Sequence, residues 1–288
     1  MNYEAGSLLV DTVRSLREDV SAGPPEIVVV DNGSRDGSVD ALRAAIPEVS
    51  IITSGTNRGY AAAANRGTEA TTAPVVAVCN CDLHVMSGTA GALVHRLEAE
   101  PDLAAVGPAI ENPDGSRYPS ARCVPSVRDA VGHGIFGLIN PHNHFTRRYR
   151  QLDADPNLPR DVDWVSGAAV WLRRAALDAV GGWDDGYFMY VEDVDLCWRL
   201  RSAGWRIAFE PSGRVVHVQG ASTDLQPNRM VVAHHRSLLR FAAKRWRGWK
   251  RPLLAPAALF LSARAAVIVL TRSVFRRRSR PGRDEGTE

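Results

Sequence analysis

At 288 residues, with 45% hydrophobic and 23% charged side chains, the chain has an ordinary globular composition and room for one large domain or two small ones. Its net charge of +3 conceals an asymmetry: residues 1–228 carry 20 basic and 29 acidic side chains, whereas 229–283 carry fifteen Lys or Arg and no acid. The four cysteines, Cys79, Cys81, Cys123 and Cys197, show neither CxxC nor zinc-type spacing, which argues against a disulfide framework and reads as buried reduced thiols in a cytosolic setting.

Met1 to Ser7 is polar and does not read as a signal peptide. Leu8, Leu9, Val13 and Leu16 recur at helical spacing, and Gly23-Pro24-Pro25 ends that helix. "EIVVVDNGS" is a continuous β-branched run closed by turn residues, as expected of a buried parallel strand. A helix follows in "GSVDALRAAI", with Ser34 or Asp36 as N-cap, then a strand in "VSIITSG" and a helix in "YAAAANRGTEA". "APVVAVCNCDL" is a strand, "SGTAGALVHRLEAEP" a helix and "LAAVGPAI" a strand. This alternation predicts an α/β fold with a mostly parallel central sheet, whose ligands bind beyond the carboxyl ends of the strands. The polar residues at those ends are Asp31-Asn32, Asn57-Arg58 and Asn80 to Asp82. Such a sheet would open with a strand ahead of the first helix. None is visible here, so the expectation is a start upstream of Met1, with Asn2 and Tyr3 as the strand's remnant.

Beyond residue 110 the pattern loosens. Pro113-Asp114-Gly115 marks a turn or hairpin, and 133–160 is loop-rich. "VDWVSGAAVWLRR" reads as a strand, "AALDAVGGW" as a short helix, and Asp193 to Ala203 as a helix ended by Gly204. "RIAFEPSGRVVHVQG" reads as two strands. His133 and the histidines of "PHNHF" (141–145) lack partners at ligand spacing and read as loop residues. Glu192, Asp193 and Asp195 crowd one helix start. Acids there are favoured by the helix dipole by about 0.3–1 kcal/mol each, but three within four residues repel one another. The aromatics Tyr187, Phe188 and Tyr190 beside them could shield a carboxylate and raise its proton affinity toward that of a base.

"VVVDNGSRDGS", "TNRGYAAAANRG", "NCDLHV", "SGAAVWLRRAALDAVGGWDDGYFMYVEDVDLCWRLRSAGW" and "VVHVQGAST" occur in that order. Over about residues 2 to 225 they resemble the successive motifs of family 2 glycosyltransferases of the GT-A fold. "NPDGSRYPSAR" and "AHHRS" (233–237) narrow the likeness to actinobacterial cell-wall linker rhamnosyltransferases. The resemblance implies an inverting transfer of L-rhamnose from dTDP-rhamnose to a hydroxyl of a polyprenyl-diphosphate-linked N-acetylglucosamine, with Mg²⁺ or Mn²⁺ as cofactor. It implies Asp193 as catalytic base with Glu192 beside it. The nucleotide-sugar site would comprise Asp31, Asn32, Asn57, Arg58, Asn65, Asn80 and Asp82. Trp164, Gly167 and Tyr190 would lie on the acceptor side, and Asp82 and His217 would be the metal ligands. Asn80 and Cys81 depart from the usual residues of the metal motif. The rival expectations are another nucleotide-sugar donor, or a non-catalytic sugar-nucleotide-binding protein.

The domain expectation is a catalytic domain over 1–228 and a basic helical tail with a disordered end over 229–288. "PLLAPAALFLSARAAVIVL" (252–270) is long and apolar but holds Pro256 and Arg264, and arginines and lysines flank it. It reads as a helix lying in the membrane interface, placing the protein peripherally on the cytoplasmic face of the plasma membrane. Trp246 and Trp249 suit that belt. Nucleic acid is not expected as a partner, since interleaved aromatics on a folded basic face are missing.

Overall fold

The computed structural model describes residues 1–124, 132, 134–136, 140, 142–218 and 226–278. His133, Pro141, residues 219–223 of the last motif and the basic residues beyond 278 lie outside the described residues. Two compact units form: Met1–Phe188 with Glu192–Ser222, and Met189–Val191 with Thr223–Glu288.

In the first unit, α1 (Leu8–Glu18) buries Leu9, Val10 and Val13 against Val29, Leu42 and Ile46. β1 (Val28–Asp31) and β2 (Ser50–Thr53) pair in parallel through α2 (Ser38–Ala45), whose start is held by Asp36 accepting the Ser38 N–H at 3.0 Å. α3 (Tyr60–Glu69) leads to β3 (Val75–Cys79), then β4 (Leu83–Val85), α4 (Thr89–Ala99) and β5 (Leu103–Glu111). α4 begins at a left-handed glycine, Gly88, and draws its cap from elsewhere: Asp19 accepts the N–H groups of Gly88 at 3.0 Å and Ala90 at 2.7 Å.

The remaining strands are β6 (Arg117–Tyr118), β7 (Ala121–Arg122), β8 (Arg160–Asp161), β9 (Trp164–Val165), β10 (Ala169–Arg173) and β11 (Arg206–His217). The short helices α5 (His144–Tyr149) and α6 (Arg174–Ala179) lie between them, and α7 (Glu192–Ser202) precedes β11. The main sheet has seven strands in the order β3-β10-β5-β11-β4, with β6 on β5 and β8 on β11, while β7 and β9 form a separate pair. Its core sets Leu93 and Leu97 of α4 against Leu103, Val106, Trp171 and Val215.

Pairing is mixed. β1–β2 and β5–β11 are parallel, but β10 is antiparallel to both β3 and β5, and β4 is antiparallel to β11. β10 enters the sheet after the short strands β6, β7, β8 and β9, so it is not joined to β5 by a single strand–helix–strand unit of the kind that makes neighbours parallel. The two strands expected within "RIAFEPSGRVVH" are one, β11; a register shift between Glu210 and Arg214 absorbs Pro211 to Gly213 as an irregularity in the ladder.

β1–β2 stands apart from the seven-stranded sheet, and residues at the N-terminus lie between them. Asn2 bridges Asp31 in parallel, its N–H donating to Val30 O at 2.8 Å, while the Met1 amine donates to Cys79 O at 2.9 Å.

In the second unit, α8 (Pro227–Arg245) and α9 (Leu254–Arg278) are joined by a 3-10 turn over Gly248–Leu253. Arg264 of α9 donates to His235 Nε2 of α8 at 2.9 Å, so it is turned toward its neighbouring helix. Ala255, Leu259, Ala263, Val267 and Leu270 form an exposed apolar stripe along α9. Among the described residues one helical stretch, Gly248–Arg272, is long and apolar enough to cross a membrane, its most apolar 18 residues having mean hydropathy 2.1.

Candidate active site

β4–β11 pairing brings Asp82 to His217. His217 stands opposite Leu83, and the Val218 N–H donates to Asp82 O at 2.9 Å. Both side chains are buried, with His217 Nε2 3.0 Å from Asp82 Oδ1. The contact is close but not aligned as a hydrogen bond, for Asp82 Oδ1 and His217 Nδ1 are buried without hydrogen-bond partners. Asn80 Nδ2 lies 3.3 Å from the same Nε2. A carboxylate oxygen and a ring nitrogen converging with no proton aligned between them suit a divalent cation. Among the described residues no group of three His, Cys, Asp or Glu side chains could hold a metal by itself. That matches Mg²⁺-type binding, in which one or two protein ligands are completed by phosphate oxygens and water. The residues present therefore fit such a group.

The three acids of α7 divide the work. Asp195 is fully buried and structural: it accepts Arg199 Nε at 2.7 Å and the Tyr187 hydroxyl at 3.2 Å, so Tyr187 is tied to Asp195. Asp193 is half-buried, and its Oδ2 accepts the Gly167 N–H at 2.9 Å while Oδ1 accepts its neighbour Val194 N–H at 2.8 Å. Burial raises its proton affinity above the ordinary carboxylate range, against those two N–H groups and the nearby Arg122 charge, which lower it. Glu192 is buried with Oε2 unpartnered, and burial together with the Asp193 charge pushes it well above the usual range. Just before α7, Tyr190 and Val191 hold φ of 66° and 70°, a strained conformation for a bulky and a β-branched residue.

Backbone hydrogen bonds connect the two carboxylates. Asn80 N–H donates to Ala168 O at 2.8 Å, and the adjoining Gly167 holds Asp193. Ala169 pairs with Cys79, so the start of β10 and the end of β3 lie side by side. Two residues missed by sequence reasoning complete this arrangement. Tyr60, buried at the start of α3, donates its hydroxyl to Gly167 O, and burial plus the Glu192 and Asp193 charges keep it a neutral phenol. Arg122 sits in an aromatic cage, its guanidinium 4.8 Å from the Trp164 ring centroid. Both stand in stretches that carry the resemblance, Tyr60 in "TNRGYAAAANRG" and Arg122 at the end of "NPDGSRYPSAR", but the pairing of β7 with β9 and the position of α3 bring them to the centre.

The nucleotide-side residues cluster beyond β1. Asp31 accepts Asn2 Nδ2 at 2.9 Å and the Gly33 N–H at 3.1 Å, bracing its own turn. Asn32 Nδ2 donates to Gly59 O at 3.1 Å, and Asn57 accepts the Gly59 N–H at 2.9 Å, so both shape the turn that exposes Arg58. Asn65 lies elsewhere: both amide atoms are bonded at 2.8 Å to the backbone of Trp183, which leaves it a scaffold role. Trp164 and Gly167 adjoin Asp193 through β9 and the turn that follows it. Tyr190 belongs to the second unit, where its ring meets His234 edge-on at 5.4 Å. A cavity of about 380 Å³ also opens beside Asp82, lined by α1 and β4 residues including Ser15, Leu83 and His84; Gly167, Asp193 and His217 do not line it.

The architecture and sequence agree with known proteins. The chain is 38% identical over 269 residues to an N-acetylglucosaminyl-diphospho-decaprenol L-rhamnosyltransferase of Mycobacterium tuberculosis, covering 89% of this chain and 87% of that protein. It is 31% identical over 211 residues to a pre-mycofactocin glycosyltransferase of the same organism, covering 73% of this chain and 39% of the other. Among solved structures, the mannosyltransferase PcManGT from Pyrobaculum calidifontis, in complex with GDP-Man and Mn²⁺, has the same fold. The TM-score is 0.57 at 18% identity, over 95% of this chain and 78% of that one. The family described as "Glycosyl transferase family 2" matches residues 1–181. The chain belongs to glycosyl transferase family 2.

Proposed function

We propose that the protein transfers L-rhamnose from dTDP-rhamnose, with inversion, to a hydroxyl of a polyprenyl-diphosphate-linked N-acetylglucosamine. The reaction class and acceptor follow the relative that is 38% identical. The observation that carries the chemistry is Asp193: a half-buried carboxylate of raised proton affinity, fixed by the Gly167 N–H and linked through Ala168 and Asn80 to the Asp82–His217 pair.

Asp193 takes the proton of the acceptor hydroxyl as that oxygen attacks the anomeric carbon from the face opposite the leaving diphosphate. One displacement inverts the configuration, and a base so placed contributes about 10²–10⁴-fold. Glu192, its proton affinity raised by burial and by the Asp193 charge, resists a second charge beside the base. Asp82 and His217 would hold the divalent cation, and Asp31, Asn32, Asn57 and Arg58 would form the nucleotide end. When bound, the cation supplies Lewis-acid stabilisation of the charge on the departing diphosphate.

The tail serves a lipid-linked acceptor. The exposed apolar stripe of α9, between flanking lysines and arginines, would rest in the membrane interface and keep the protein peripheral on the cytoplasmic face.

The test offers the purified full chain a panel of nucleotide sugars with polyprenyl-diphospho-N-acetylglucosamine and divalent metal. Mass spectrometry of the lipid product should show addition of one deoxyhexose from dTDP-rhamnose alone, and NMR should show the inverted anomeric centre. Transfer from a different donor, or retention of configuration, overturns the corresponding part of the proposal.

A further inference from the structure

Arg122 is anchored on every side. Its Nε donates to Pro119 O at 2.7 Å, Nη1 to the Tyr149 hydroxyl at 3.4 Å and Nη2 to the Tyr118 hydroxyl at 3.1 Å. Its guanidinium also lies 4.8, 5.5 and 5.6 Å from the ring centroids of Trp164, Tyr118 and Tyr149. Arg150 follows Tyr149 directly, at the end of α5, and its Nε is buried without a hydrogen-bond partner. Among the described residues neither arginine has a carboxylate within ion-pair distance, whereas Arg96, Arg199 and Arg206 each have one. Burial and the Arg122 charge push the Arg150 guanidinium below its ordinary value, so the two cations repel across a partly desolvated space. Neighbouring cations without a direct ion pair, one with an orphaned buried donor, are the makings of an anion site, and guanidinium groups favour phosphate oxygens.

We propose that Arg122 and Arg150 form a phosphate-anion site beside Asp193 that takes the diphosphate of the acceptor; this rests on the acceptor class proposed above. The position supports it. Arg122 pairs opposite Trp164, the Ser166 N–H donates to Ser120 O at 2.8 Å, and the next residue, Gly167, holds Asp193. A single sugar ring separates the attacking hydroxyl from the acceptor's own diphosphate. An acceptor with its hydroxyl at Asp193 therefore brings its phosphates within reach of a neighbouring cation pair. Tyr118 ties this site to the other end of the centre, its hydroxyl on Arg122 and its ring edge-on to His217 at 6.3 Å. The same phosphate chemistry could thus come from the donor, and the experiment separates the two sources.

Arg150→Gln and Arg150→Lys test this without dismantling the Arg122 cage, with thermal melting as the folding control. The reading is the ratio of kcat/KM for polyprenyl-diphospho-N-acetylglucosamine to that for an alkyl N-acetylglucosaminide without phosphate. Arg150→Gln should lower the ratio at least about tenfold, the scale of a lost charge-assisted hydrogen bond, and Arg150→Lys should restore part of it. The affinity for dTDP-rhamnose should stay within about twofold. Independently, calorimetric titration with inorganic pyrophosphate in the presence of chelator should show binding to the wild type and none to Arg150→Gln. An unchanged ratio, equal losses on both acceptors, or a loss carried by dTDP-rhamnose affinity overturns the assignment. A wild type inactive on every acceptor overturns the proposed function instead, and the pyrophosphate titration then decides this site alone.

Discussion

The Gly167 N–H donates to Asp193 Oδ2 at 2.9 Å, and a Cβ on Gly167 would stand 3.3 Å from the Asp193 Cβ and 3.2 Å from the Tyr60 hydroxyl. The glycine is needed for close approach, because both neighbours are themselves fixed. Gly167→Ala should displace the base by a fraction of an ångström and lower kcat by about 10–100-fold, with dTDP-rhamnose affinity little altered. Steady-state kinetics beside a donor titration would check this; wild-type turnover in the variant would mean that Asp193 needs no such anchor.

Asp193→Asn keeps the shape but only one of the two backbone hydrogen bonds, since its amide has a single acceptor oxygen, and it cannot accept the hydroxyl proton. Transfer should fall by about 10²–10⁴-fold while donor binding persists. Single-turnover assays with saturating acceptor read the loss directly, and a variant near wild-type rate would refute the base assignment.

Glu192 links stability to pH. Its folded proton affinity is raised above the ordinary value of 4.5 by burial and the Asp193 charge. Below that value the carboxyl is protonated in both folded and unfolded states and costs nothing. As pH rises from there through the raised folded value, the unfolded chain gains by ionising and the native state loses stability. Glu192→Gln removes that term. The variant should melt a few degrees higher than wild type at neutral pH, about 2–4 °C per kcal/mol for a chain of this size, and the difference should vanish below about pH 4.5. Melting curves across that range are the measurement; a gap that widens toward acid would contradict the sign.

Asp82 and His217, 3.0 Å apart, are the proposed protein ligands of the cation. Chelator should abolish transfer, and Mn²⁺ or Mg²⁺ should restore it. His217→Ala should raise the metal concentration for half-maximal activity by at least about tenfold, the order seen when a supporting ligand is lost. Metal titrations at fixed dTDP-rhamnose would show it. Identical titration curves for the two proteins would remove His217 from the site.

α9 exposes apolar side chains at Leu259, Val267 and Leu270. Deleting residues from about 250 onward should release the protein from anionic vesicles in flotation assays, and raising the salt should weaken wild-type binding only in part, since apolar burial is not screened. A truncated protein that still floats with the vesicles would place the attachment elsewhere.

Much of this protein is local. The β-branched run before Asp31, the alanine-rich helix after Gly59 and the apolar stretch before Arg264 declare their structure by composition and period, so the elements and their order could be read directly. The resemblance carried by the block from Tyr187 to Trp205 implied Asp193 as the base. Its neighbours could not be read. Three carboxylates stand within four residues, and nothing in that spacing tells which one is neutralised. Arg199 meets Asp195 one helical turn on, but only the fold leaves Glu192 orphaned and gives Asp193 the Gly167 N–H. Asn65 lies in a motif with a nucleotide look, yet its amide closes on Trp183, 118 positions away. Tyr60 and Arg122 stand in motifs of the resemblance, yet their place in the centre comes from long-range pairing. The sequence by itself determined which segments become strands and helices, because period and residue type act over a few positions. The raised proton affinities and the approach of Asp82 to His217 were decided by tertiary structure alone, because they depend on burial and on partners that only the folded chain brings together.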